Sequence, residues 1–290
     1  MDDTPVKRWR AVPVSADAYF LGEGPVWDAP RGRVLWVDIA AGAVHEGVLN
    51  GDTLRHVSAR TFDRTVGAVV PGRRGELLVA GTESLWIVEP DGSVAAGPSI
   101  LPADSGRRLN DGACDPAGTF LVGSLAFNLR DDGQVLVRVE PDRSITTLDD
   151  DLVLSNGLGW SPDGKSLYSI DTVHRAVYVR DYPALGPRRV WQTFGEAPDG
   201  LCVDVDGNLW VAFFGGGAVR RYAPTGELTG IVEVAAPNVT CPAFVGDRLL
   251  ITTATAGMTP SQLEEYPDAG RLFVADVGVL GLPTPAWSGF

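Results

Sequence analysis

The sequence predicts an all-β fold, a six-bladed β-propeller built as a single domain over residues 1–290. Two observations carry this. A phrase of tight turn followed by apolar strand recurs, clearest at Asp204-Val205-Asp206-Gly207-Asn208-Leu209-Trp210-Val211, with copies beginning at Asp28, Pro71, Asp115, Ser161 and Val245. The six copies are spaced by about 40 to 47 residues, the period of a propeller blade. Each copy is also followed by a run of alternating apolar and polar residues, such as 84–88, 134–139 and 218–222. Such alternation marks half-buried antiparallel strands. Near-constant spacing leaves no place for a domain boundary.

Taken in order, residues 9–14 read as a short strand ahead of the first repeat, expected to complete the last blade of a closed ring. In Leu21-Gly22-Glu23-Gly24-Pro25-Val26-Trp27 the glycines and proline oppose both a helix interior and a central strand. A turn presenting Glu23 is therefore expected. Near the C-terminus, Thr259-Pro260-Ser261-Gln262-Leu263-Glu264-Glu265 places an N-cap before a proline, which predicts one or two turns of helix in the last blade.

Composition narrows the function classes. At 44% hydrophobic the chain can bury a large core, and 35 glycines with 21 prolines suit a fold rich in turns. A net charge of −13 and a pI near 4.6 oppose nucleic acid as a partner, since phosphate binding needs clustered Lys and Arg. Cys114, Cys202 and Cys241 form no even disulfide framework; they read as small buried hydrophobes in a reducing compartment. The first residues lack a basic region followed by an apolar run, and no stretch approaches the ~18 apolar residues of a membrane span. A cytoplasmic protein with no membrane contact and no obligate protein partner is the expectation.

Polar residues beside glycine recur at one phase of the repeat, just ahead of the turn-strand phrase. They are Glu23 in the first blade, Arg108-Leu109-Asn110-Asp111-Gly112 in the third, Asn156-Gly157 in the fourth and Asp199-Gly200 in the fifth. A closed ring brings this phase to the central channel. Singly, Asn-Gly and Asp-Gly are common turns; their shared phase favours a site. Glu23, Asn156 and Asp199 supply two carboxylates and an amide carbonyl, a hard oxygen set suited to Ca²⁺, Mg²⁺ or Mn²⁺. Asp111 and Asp171 either orient these groups or cap turns. His45, His56 and His174 occupy surface or packing positions. Ser155 and Ser161 lack a Gly-x-Ser-x-Gly elbow, which disfavours a serine nucleophile.

The ordered set 21–27, 108–112, 155–161 and 198–201, with Gly270-Arg271-Leu272-Phe273-Val274, resembles the senescence marker protein/gluconolactonase family, which includes regucalcin. The resemblance covers nearly the whole chain. It implies one divalent cation in the channel, calcium first, with Zn, Mg, Mn or Fe as alternatives, held by Glu23, Asn156 and Asp199. It implies Arg108 and Asn110 as contacts for a small-molecule sugar lactone, and hydrolysis by water with Asp199 as the base. Metal-bound hydroxide is the competing account of that base. Asn128 stands where some animal members carry a substrate-binding glutamate, so a substrate contact is expected there without their sugar preference. The rival functions are a calcium-dependent phosphoester or fluorophosphate hydrolase and a non-enzymatic calcium-binding regulatory protein.

Overall fold

The structure is a computed structural model that describes residues 5–62 and 64–290. Its described residues form six sheets arranged as propeller blades, five of four strands and one of five, antiparallel except for one added edge strand. In the first blade the strands are Gly22–Asp28, Arg33–Asp38, Ala43–Asn50 and Thr53–Thr61, each paired with the next. The innermost strands of the later blades are Ala68–Pro71, Arg107–Cys114, Ser155–Trp160, Ala197–Val203 and Val239–Val245.

The recurring phrase forms the turn from the innermost to the second strand of every blade. Its six glycines, Gly32, Gly75, Gly118, Gly164, Gly207 and Gly246, all have φ between 61° and 103°. That left-handed conformation is open to glycine and strained for other residues. Aspartate fixes the turn's other side: Asp204 Oδ1 accepts the backbone N–H groups of Asp206 at 3.0 Å and Asn208 at 2.9 Å. The strand within each phrase is thus the blade's second strand. The polar residues ahead of it lie inside the innermost strand, not in a loop before it.

Apolar clusters fill the seams between neighbouring blades. Leu35, Val37 and Val44 of the first blade meet Val69, Val79 and Val88 of the second. The sixth meets the first through Leu250, Leu272 and Val274 against Val34 and Trp36, so the ring is closed by packing as well as by pairing. Trp36 and Trp210 are wholly buried in two of these seams.

Both ends of the described chain are stitched into the ring. The expected N-terminal strand divides in two. Val12–Pro13 completes the sixth blade as predicted, antiparallel to Phe273–Asp276. Lys7–Arg10, however, pairs in parallel with Leu228–Glu233 and becomes the fifth strand of the fifth blade. Ala11 sits at the break and donates its N–H to Glu233 O at 2.9 Å.

At the other end the chain crosses one mouth of the channel. Val205 N donates to Leu280 O at 3.0 Å and Leu282 N to Val203 O at 3.3 Å, both on the fifth blade. Across the ring, Trp287 N donates to Pro71 O at 2.8 Å and Ser288 N to Gly118 O at 2.9 Å, on the second and third blades. Leu282-Pro283-Thr284-Pro285-Ala286 lies between these anchors, and Trp287 is buried in the seam of the second and third blades.

The helix Pro260–Glu265 forms with a complete capping box: Gln262 N donates to Thr259 Oγ1 at 3.3 Å and Thr259 N to Gln262 Oε1 at 2.9 Å. No helix among the described residues is long and apolar enough to cross a membrane.

Candidate metal and substrate site

Five of the six innermost strands carry a register shift at the same height. The shifts fall between Glu23 and Val26, Leu109 and Gly112, Asn156 and Leu158, Pro198 and Leu201, and Val239 and Pro242. The second blade, paired continuously from Ala68 to Pro71, has none and contributes no candidate residue. A bulge sets extra backbone against one partner residue, bends the strand and re-aims its side chains. This corrects the expectation of a turn at Glu23. The segment is a strand, and its glycine and proline are accommodated because Gly24, at φ 50°, lies within the irregularity.

The glycines beside Asn156 and Asp199 answer to a different constraint than a turn. A Cβ on Gly157 would stand 2.5 Å from Leu201 N, and one on Gly200 would stand 2.4 Å from Cys241 Sγ. Each lets the next innermost strand come close, which draws the polar residues of successive blades together.

Those residues are linked across the third, fourth and fifth blades. Arg108 Nη1 donates to Asn110 Oδ1 at 2.7 Å and to Leu109 O at 3.0 Å. Asn110 Nδ2 donates to Ser155 O at 2.9 Å, one residue before Asn156. The Asn156 Nδ2 group donates to Asp199 Oδ1 and, at 3.1 Å, to Thr172 Oγ1, which in turn donates to Pro198 O at 2.8 Å. Glu23 Oε2 accepts the Gly24 N–H at 2.9 Å. Glu23, Arg108, Asn110, Asn156 and Asp199 are only 4% to 8% exposed.

Burial and mutual repulsion dominate the electrostatics. Glu23 is pushed well above the usual carboxylate range by burial and then by Asp199 and Asp111. Burial, reinforced by Asp111, raises Asp199 to about 8, against the opposing pull of Asn156 and Arg108. Asp111 rises to about 6 through burial, and burial lowers Arg108 to about 10 despite Glu23 and Asp199. Three carboxylates thus face one guanidinium.

Two features fit a hard divalent cation. Asn156 Oδ1 is buried without a hydrogen-bond partner, although both N–H groups of the same amide are engaged. Such an orphaned acceptor costs on the order of 1–3 kcal/mol unless something occupies it. The surplus of negative charge around it is also what one dication offsets. Among the described residues no three His, Cys, Asp or Glu side chains are spaced to hold a metal. An ion here would therefore depend on the Asn156 carbonyl oxygen and on ligands from water or substrate.

The remaining candidates separate. Asp111 joins the cluster, with Oδ1 accepting the Gly112 N–H at 2.8 Å. Asp171 caps turns instead: its carboxylate accepts from Val153 N at 2.9 Å, Val173 N at 3.1 Å and His174 N at 3.2 Å. Asn128 lies on an exposed loop just past the third blade's second strand, its Oδ1 taken by the N–H groups of Arg130 and Asp131. It is not brought into the cluster. Sequence reasoning missed Thr172 and Thr240. The latter donates to Gly22 O at 2.6 Å and so fixes the residue before Glu23. Neither threonine belongs to a local pattern that could have marked it. His45 is half-buried, stacked on Trp36 and 3.2 Å from His56, far from these roles.

Fold and site together define a six-bladed propeller with an acid-rich oxygen cluster buried in its channel. The chain belongs to the SMP-30/Gluconolactonase/LRE-like family, whose region matches residues 21–255. It is 33% identical to regucalcin of Danio rerio, over 93% of this chain and 95% of that one. It is 32% identical, over 91% of this chain and 94% of the other, to a Bacillus subtilis protein named "Putative sugar lactone lactonase YvrE". Among solved structures, a calcium-binding protein, regucalcin, from Agrobacterium tumefaciens superposes with a TM-score of 0.90 at 25% identity, covering 97% of this chain and 98% of that one.

Proposed function

We propose that this protein is a divalent-cation-dependent hydrolase that opens the ester ring of a sugar lactone. The observation that carries the reading is the buried, unpartnered Asn156 Oδ1 on the amide that donates to Asp199, within a family that has a relative named for sugar lactone hydrolysis. Glu23, Asn156 and Asp199 would hold the cation, with calcium the first choice. When bound, the cation supplies Lewis-acid polarisation of the lactone carbonyl and offsets the negative charge that develops on its oxygen.

The chain's own groups divide the rest of the work. Asp199 offers the oxygen not engaged by Asn156 as the acceptor for the proton of the attacking water. Arg108 has guanidinium donors beyond the one given to Asn110 and Leu109, and these reach for substrate oxygens. Asn110 takes a supporting part beside the substrate contact expected of it. Its carbonyl is held by Arg108 and its amide by Ser155 O, so it orients the arginine from behind. Burial keeps bulk water from screening these charges.

The Agrobacterium neighbour's description as calcium-binding favours a second reading, a cation-binding protein without turnover. One experiment separates the two. Chelated protein is resupplied with single metals and assayed by pH indicator against a panel of aldonolactones. Cation-dependent hydrolysis of any of them supports the lactonase. Tight calcium binding with no turnover selects the binding protein, and hydrolysis of phosphoesters far above lactones would overturn both.

A further inference from the structure

All three cysteines of the chain lie around one cavity that the chemistry above does not use. It occupies the channel beyond the acidic cluster, at the mouth crossed by the C-terminal segment, and has a volume of about 410 Å³. That is within the range of roughly 300–1,000 Å³ typical of small-molecule sites. Its walls include Val26, Trp160, Leu201, Val203 and Phe244, contributed by the innermost strands of four blades. Pro283, Thr284 and Pro285 form its outer wall. Neither proline has an N–H, so Thr284 carries the one side-chain hydrogen-bonding group of this wall.

Asp111 is the lone ionisable carboxylate among the lining residues, and it joins this space to the acidic cluster. One of its oxygens accepts the Gly112 N–H, which leaves the other to accept from a ligand. An anion entering here would meet Asp111, with the carboxylates of Glu23 and Asp199 behind it. A cation meeting Asp111 would also meet the dication held on Glu23 and Asp199 behind it. What suits the loaded channel is an uncharged molecule, apolar over most of its surface, with one hydrogen-bond donor.

We propose that the cavity between Asp111 and the 282–286 crossing segment is a second binding site, for a small neutral alcohol or phenol. The molecule's hydroxyl donates to Asp111 and its apolar body packs on Trp160, Leu201 and Phe244. The choice of a neutral ligand rests on the cation reading above; the existence of the site does not. Ala243 lines the cavity and belongs to neither the acidic cluster nor the arginine pair.

The test uses the full chain with calcium, titrated calorimetrically with phenol, cyclohexanol, cyclohexylammonium and cyclohexanecarboxylate. Phenol and cyclohexanol should bind at least tenfold more tightly than either ion, and Ala243→Trp should weaken them at least tenfold while leaving lactone turnover unchanged. Crystals soaked in 4-bromophenol should show the bromine between Trp160, Phe244 and Pro283, a readout that survives a poorly folded variant. Absence of binding, equal binding by Ala243→Trp, or bromine only elsewhere on the surface overturns the site. Preference for the ammonium in calcium-loaded protein overturns the neutral ligand. Loss of the lactonase reading in the aldonolactone assay touches neither the titration nor the bromine position.

Discussion

Asn110 donates its side-chain N–H to the backbone carbonyl of Ser155 at 2.9 Å, joining the innermost strands of the third and fourth blades immediately before Asn156. The same amide accepts from Arg108, so the proposed substrate contact Arg108 and the proposed cation ligand Asn156 are held by one residue. Asn110→Ala should therefore act twice. Stability should fall by about 1–3 kcal/mol, the cost of leaving a buried partner unsatisfied, measurable by urea denaturation. The kcat/KM for the best lactone should fall by on the order of 10²-fold as Arg108 loses its orientation. Unchanged kinetics would remove Asn110 from the site.

Asp199 carries two proposed duties, cation ligand and proton acceptor. Asp199→Ala should reduce turnover by at least about 10²–10⁴-fold, the usual contribution of a positioned base, with circular dichroism unchanged. Glu23→Gln should weaken the cation more than it alters chemistry, so excess metal should restore part of its activity. An Asp199→Ala variant as active as the parent would end the proposed mechanism.

Raised carboxylates give a definite sign to the pH dependence. Asp199 titrates near 8 in the cation-free fold against 3.8 ordinarily, and Glu23 is raised as well. Between those values the folded chain binds more protons than the unfolded one. Cation-free stability should therefore fall as pH rises from about 4 through about 8. A dication that replaces the protons should raise Tm more at pH 8.5 than at pH 5.5. Scanning calorimetry of chelated and calcium-supplied protein reads this directly, and a calcium shift that shrank with rising pH would contradict the assignment.

Gly157 and Gly200 make a prediction that touches no ligand atom. Gly157→Ala meets backbone at 2.5 Å, where little can yield, and should cost roughly 1–3 kcal/mol, as overpacking does. It should also lower cation affinity by separating Asn156 from Asp199. Gly51→Ala, with φ 57° and nothing within 4 Å, should cost only about 1 kcal/mol through backbone strain and leave affinity alone. Calcium titration of the two variants separates crowding at the site from strain elsewhere.

The repeat was legible because its signal is local. Gly207 before Leu209-Trp210-Val211 states turn and strand within a few residues, and six such phrases fix the ring. The phase of Glu23, Asn156 and Asp199 followed from the same spacing. The strand through Glu23 was hidden because Gly24 and Pro25 each oppose a strand, and a bulge that tolerates both is settled by pairing with Arg33–Asp38. Likewise, nothing near Lys7–Arg10 or Trp287 announces partners at Leu228–Glu233 or Pro71. Those pairings exist only once the ring has closed. Asn128 is a position whose surroundings a motif cannot describe: the fold sets it on an exposed loop whose backbone N–H groups take its carbonyl.

The pairing of Val12–Pro13 with Phe273–Asp276 has a consequence in time. A ribosome adds roughly 5–20 residues per second, so the first strand needed for the sixth blade leaves the exit tunnel many seconds before its partner is made. Through that interval the first blade can assemble as a local meander, but its seam with the sixth blade lies open. The nascent chain is thus an unclosed arc with apolar edges, dependent on its last-made strand to cover them.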